Sequence, residues 1–229
     1  MATKKVPIMA NDILLLLCGE SGSGKEYFFD NIMPSGVFRK LISMTTRDKR
    51  AYETDGVHYH FVSEEKYFAA PRATTLFVNE KFWRPGEKKW LYGVSESEFE
   101  SSLGHLDDPL RGGDIAYDVI EPKYAAQLID WVTAKEYKYD PLILHFQKPA
   151  NNLEIAAGRA NMANDVAVRT ANTCTLADFW RAGINPDYSL LSSKGEMFFP
   201  SKLIGLLNHI SSVAKIGTQF RLPRGARVI

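Results

Sequence analysis

The chain has 229 residues, enough for one large domain, or a core with subdomains, around a proper apolar core. Hydrophobic residues make up 45% and charged residues 24%, the ordinary balance of a globular protein. The formal net charge of +1 supplies no global field that would draw in nucleic acid or an anionic membrane. Arg221, Arg224 and Arg227 form a local basic cluster, read as a solvated tail.

Cys18 and Cys174 are the two cysteines. Each sits in an apolar segment without metal-ligand spacing, which fits a reducing, cytoplasmic setting. His58 and His60 flank Tyr59, so a strand would point both to one face. The amino-terminal stretch is basic, but no apolar signal region with a cleavage site follows it. The run "ILLLLC" is too short to span a bilayer.

In chain order, Ile13 to Cys18 is apolar without alternation, as in a central strand covered on both faces. A glycine-rich loop and the short helix "KEYFFDNIM" follow, ended by Pro34 and Gly36. "KLIS" reads as a short strand, "VHYHFV" as a half-exposed strand, and "SEEKYFAA" as a helix capped by Ser63. "TTLFVNEKFW" and "KKWLYGV" read as two strands joined through Pro85-Gly86, before a short helix "SESEFESSL". "IAYDVI" and "PLILHF", separated by a helical stretch from Pro122, give the strand–helix–strand alternation of a parallel α/β sheet. Residues 150–175 suit a helical lid, "DYSLLS" a last strand, and "PSKLIGLLNHISSVAKI" an amphipathic closing helix.

Gly19, Gly24 and Lys25 satisfy the pattern G-x-x-x-x-G-K between that strand and that helix. The glycines let backbone N–H groups converge on phosphate oxygens, the helix adds its positive end, and Lys25 reaches the transferred phosphate. Ser21, Gly22 and Ser23 complete the cradle. Glu26 stands where a hydroxyl ligand of Mg²⁺ is usual; a carboxylate is also a hard oxygen donor for that ion.

The segment "SMTTRDKRAYETDGVHYHFVSEEKYF", with the phosphate loop before it and "LYG" after it, resembles the guanylate kinase family. The resemblance implies a P-loop NTPase fold: a parallel sheet flanked by helices, with an inserted acceptor-binding subdomain and a helical lid. Residues 1–40 and 111–229 would form the core, 41–110 the acceptor subdomain and 150–175 the lid. It further implies ATP and Mg²⁺ as cofactors and small nucleotides as partners, with no nucleic acid or membrane. By position, Arg47, Arg50, Tyr59 and Tyr92 match the clamp on the acceptor phosphate, whose dianion two guanidinium forks and two phenols would satisfy. Arg159 and Arg169 match the lid arginines that stabilise transferring charge, and Asp118 matches an acid near the metal, with Glu26 as second metal candidate.

Ser43 fits the family's guanine-reading serine, while the guanine-reading glutamate falls at Asn79, with Glu80 beside it. The hydroxyl expected after "Tyr-Gly" is replaced by Val94, and a second acid by Ile120. A pocket lacking those groups loses its partners for guanine's polar edge. The sequence therefore reads as a nucleoside or deoxynucleoside monophosphate kinase with altered base preference. A ribose 1,5-bisphosphate-type kinase and a catalytically silent phosphate-recognition module stand as rivals.

Overall fold

A computed structural model describes residues 12–20, 23–25, 28, 38–69, 75–82, 89–103, 115–135, 139–147, 174–193, 196–199, 205 and 227–228. The described strands form two sheets. Seven of them, β1 (Asp12–Gly19), β2 (Phe38–Lys40), β7 (Ile115–Val119), β8 (Tyr139–Gln147), β9 (Tyr188–Ser193), β10 (Glu196–Phe199) and β11 (Arg227–Val228), lie in the order β11-β10-β9-β8-β1-β7-β2. From β2 across to β9 every pairing is parallel; β10 runs antiparallel to β9, and β11 parallel to β10. The chain segment between β2 and β7 builds the second sheet, β4-β3-β6-β5, from β3 (Met44–Thr45), β4 (His60–Phe61), β5 (Thr75–Phe82) and β6 (Lys89–Ser95).

β1 is central because its side chains are apolar in both directions: Leu14, Leu15, Leu16, Leu17 and Cys18 are all buried. Each fully buried leucine contributes roughly 1.5–3 kcal/mol relative to exposure, so this strand anchors the sheet. Four helices are described: α1 (Glu64–Ala69), α2 (Glu96–Leu103), α3 (Pro122–Ala134) and α4 (Leu176–Arg181). α3 starts with Pro122, whose missing N–H costs nothing in a first turn, and buries Pro122, Ala125, Leu128 and Val132 as one stripe. Trp131 of α3 meets Phe99 of α2 edge-on at 4.9 Å, which joins the two helices through the core. α4 opens on Thr175, whose N–H and hydroxyl both donate to the Asp178 carboxylate, at 2.7 and 2.9 Å. At α1 the Ser63 hydroxyl accepts the Lys66 N–H, the cap its position implied.

Several expectations need correction. "KLIS" does not form one strand: β2 ends at Lys40, and Leu41 to Ser43 carry the chain from the first sheet to the second. "VHYHFV" is a strand only at His60–Phe61, because the Thr54 N–H bonds to His58 Nδ1 and folds residues 54–58 into a turn. The two histidines therefore do separate work, and His60 pairs with Glu98 at 3.2 Å. "DYSLLS" is β9 but not the last strand, and Arg227, read as part of a solvated tail, pairs with Phe198. Both cysteines are free and buried, and burial pushes the Cys174 thiol up to about 12. The lid span 150–173 and nearly all of the closing helix lie outside the described residues. No described helix is long and apolar enough to cross a membrane.

Candidate active site

The phosphate loop leaves the carboxyl end of β1. Gly19 is required there by close approach: a Cβ would stand 2.5 Å from the Phe146 carbonyl oxygen on neighbouring β8. Gly24, at φ 92°, takes a backbone conformation that other residues resist. Immediately after it the Phe28 N–H donates to the Gly24 carbonyl at 2.9 Å, opening a helical turn, and the Phe28 ring packs edge-on against Phe146 at 5.4 Å. Lys25 folds back over the loop. Its ammonium donates to the carbonyls of Gly19 (2.7 Å) and Glu20 (2.6 Å) and lies 3.3 Å from the buried Ser23 hydroxyl. A cation is thus already held where the loop's strand ends and its helix begins.

The second cluster is built on the small sheet. In "SMTTR" the serine, both threonines and the arginine each have a structural task. The Ser43 carbonyl accepts the His60 N–H (2.9 Å), the Thr45 hydroxyl accepts the Arg47 N–H (3.2 Å), and the Thr46 hydroxyl accepts the Leu91 N–H (3.0 Å). These bonds turn the chain so that Arg47 enters the protein rather than solvent. Arg47 is buried, and its fork meets Glu53 bidentately: Nη1 to Oε2 at 3.0 Å and Nη2 to Oε1 at 2.7 Å. The same carboxylate accepts the Arg50 N–H at 2.8 Å, while the Arg50 side chain stays 42% exposed with Nη1 3.0 Å from the Tyr52 hydroxyl. Burial alone would raise the Glu53 carboxyl; the Arg47 fork and the Arg50 N–H outweigh it and hold it below its usual range. Burial would likewise lower Arg47, and the Glu53 pairing reverses that, leaving the guanidinium more firmly protonated than usual.

Aromatic rings complete the cluster. The Arg47 guanidinium lies 5.5 Å from the ring centres of both Tyr59 and Phe61, and Tyr59 meets Tyr92 at 5.9 Å. In the sheet register Tyr92 stands opposite Thr45 on one side and Asn79 on the other. Arg47, Arg50, Tyr59 and Tyr92 are therefore gathered in one place, with Ser43 buried close by in sequence.

Asp118 closes β7 beside β1, in register with Leu16 and two residues from the Ile120 N–H that bonds to the Leu17 carbonyl. It is buried, and burial lifts its carboxyl from 3.8 to about 7. The Lys40 ammonium is the charge that pulls it back most, and the Val119 N–H donates to Oδ1 at 2.7 Å. A buried carboxylate at the carboxyl edge of a parallel sheet, next to a phosphate loop, is a suitable hard-oxygen donor for Mg²⁺, an ion that needs few protein ligands. Among the described residues no group of three ligating side chains occurs. Ser21, Gly22, Glu26, Arg159 and Arg169 lie outside the described residues, as do the side chains of Asn79 and Glu80. Val94 and Ile120 are buried in the apolar core.

Two residues of the site were missed by the motif reading. Glu53 organises both arginines, and the signal for it was an acid three residues beyond Arg50. Lys40 reaches from β2 to the His58 carbonyl (2.9 Å) and stands 5.3 Å from the Tyr59 ring centre. Nothing in the sequence pattern around it marked that reach.

Comparison with known proteins places these observations. The family model described as Guanylate kinase matches residues 12–99, which include β1, the phosphate loop and the arginine cluster. A guanylate kinase of Bartonella henselae is 43% identical over 106 residues, covering 46% of this chain and 43% of the relative. One from Rhizobium meliloti is 25% identical over 184 residues, covering 77% of this chain and 74% of the relative. The match thus spans less than half of the Bartonella protein's length. A crystal structure of guanylate kinase from Anaplasma phagocytophilum superposes with a TM-score of 0.50 at 17% identity, over 93% of this chain and 91% of that one. That likeness establishes a P-loop NTPase fold of this type.

Proposed function

We propose that this chain, which belongs to the guanylate kinase family, moves the γ-phosphate of ATP to the phosphate of a nucleoside or deoxynucleoside monophosphate. The observation that carries the reading is the gathering of Arg47 and Arg50 on the Glu53 carboxylate, with Tyr59 beside the Arg47 fork and Tyr92 against Tyr59, on a sheet inserted between β2 and β7. Residues 1–40 and 111–229 act as the core, 41–110 as the acceptor subdomain and 150–175 as the lid. On the donor side, the amides of Gly19, Ser21, Gly22, Ser23 and Gly24 cradle ATP. Lys25 swings from the loop carbonyls onto the phosphates, and Arg159 and Arg169 close over them. Asp118 and Glu26 would hold Mg²⁺, which would supply neutralisation of phosphate charge when bound. On the acceptor side, Arg47, Arg50, Tyr59 and Tyr92 grip the phosphate, and Ser43, Asn79 and Glu80 line the base end.

An acceptor phosphate oxygen attacks the γ-phosphorus, the bond from that phosphorus to the β-bridging oxygen breaks, and ADP leaves with the electron pair. The attacking oxygen already carries negative charge, so the protein positions two polyanions and needs no general base. Burial of Val94 and Ile120, where the family has a hydroxyl and an acid, supports a base preference other than strict guanine. The test is ATP consumption with Mg²⁺ against all common NMPs and dNMPs and ribose 1,5-bisphosphate, with Lys25→Ala as blank. Turnover on a nucleotide that vanishes in the blank is expected. Turnover on the sugar phosphate alone, or on nothing, overturns the reading.

A further inference from the structure

We propose that Lys40 is a positioning residue of the acceptor site: from core strand β2 it holds the turn that carries Tyr59, and through Tyr59 the Arg47 fork. Lys40 is the last residue of β2, at the carboxyl edge of the seven-stranded sheet, in register with Tyr117 of β7. Its ammonium leaves that sheet and donates to the His58 carbonyl, one residue before Tyr59. It also stands 5.3 Å from the centre of the Tyr59 ring, and Arg47 stands 5.5 Å from the same ring. One phenol therefore has two cations near it, one anchored in each sheet. A charge-assisted bond to a backbone carbonyl fixes the turn itself rather than one rotamer, so it controls where the Tyr59 hydroxyl points. The turn closes on itself through the Asp55–Tyr59 bridge and joins the small sheet where His60–Phe61 pairs with β3, so the Lys40 bond adds a tie to the other sheet. The Lys40 ammonium also lowers the Asp118 carboxyl, against the larger effect of its burial.

This inference rests on the acceptor reading of the arginine cluster, and its test separates the two. Calorimetric titration with inorganic phosphate and with GMP is compared for the wild type, Lys40→Met and Lys40→Arg, beside ATP turnover and thermal melting of each. Lys40→Met is expected to weaken phosphate binding on the order of tenfold, the usual effect of losing one hydrogen bond to a charged group. ATP affinity should hold, and Lys40→Arg should recover most of the loss. In a Tyr59→Phe background the Lys40→Met effect should shrink to about threefold or less, because the hydroxyl being positioned is gone. Unchanged phosphate binding in Lys40→Met, equal losses in ATP and phosphate binding, full additivity with Tyr59→Phe, or no phosphate binding by the wild type would each overturn it. Absent wild-type turnover with weakened phosphate binding in Lys40→Met would overturn the kinase reading and leave the positioning role standing.

Discussion

Glu53 shows how much a single carboxylate can organise. It neutralises a buried guanidinium, fixes its plane by two hydrogen bonds, and pins the backbone of Arg50 so that the second fork stays at the surface. Breaking such a pair from one side leaves an uncompensated buried charge, which costs about 3–5 kcal/mol. Glu53→Gln should therefore lower Tm by on the order of 10 °C and weaken acceptor binding more than ATP binding. An unchanged Tm would contradict the burial of that charge. Asp118 acts in the opposite sense. Its folded pKa lies above its unfolded one, so its contribution to stability is complete below 3.8 and is lost as pH rises through about 7. The full shift corresponds to roughly 4 kcal/mol. Without added Mg²⁺, Tm of the wild type should fall across this window while Asp118→Asn stays flatter; parallel pH profiles would refute the burial argument.

At the scale of elements, the loop depends on how tightly β1 and β8 approach. Gly19→Ala would push a methyl into the Phe146 carbonyl, and relief of such overpacking typically costs about 1–3 kcal/mol. That variant should bind ATP far more weakly and melt lower, measured by titration and by thermal unfolding; normal ATP affinity would show that the approach is not what shapes the loop. Long elements with an uninterrupted signal were legible in the sequence. β1 is an apolar run, α3 carries an apolar stripe, and β5 and β6 flank the Pro85-Gly86 pair in sequence. Short ones were not. β4 is two residues long because a side-chain bond from His58 closes a turn before it, and β11 gains its pairing only from β10, which lies far away in sequence. No local pattern records a contact of that range. At the site, Lys25, Arg47, Arg50, Tyr59 and Tyr92 were legible through motifs, whereas Glu53 and Lys40 act on such residues and leave no motif of their own.

On the scale of the whole molecule, the insertion of a small sheet between β2 and β7 gives the chain two cation-bearing clusters on different scaffolds. Described contacts between the scaffolds are both polar and apolar: Lys40 bonds the His58 carbonyl and Lys135 pairs with Glu96, while Val94 of β6 and Phe99 of α2 are buried in the core cluster beside α3. Under the proposed function, both clusters serve one transfer. The most direct measurement follows ATP labelled at its γ-phosphate in the presence of Mg²⁺ and each nucleoside monophosphate in turn, with products separated and identified. Label is expected in a nucleoside diphosphate for at least one acceptor, and Lys25→Ala is expected to abolish it. Label that stays in ATP, or appears only as free phosphate, with every acceptor would contradict that function.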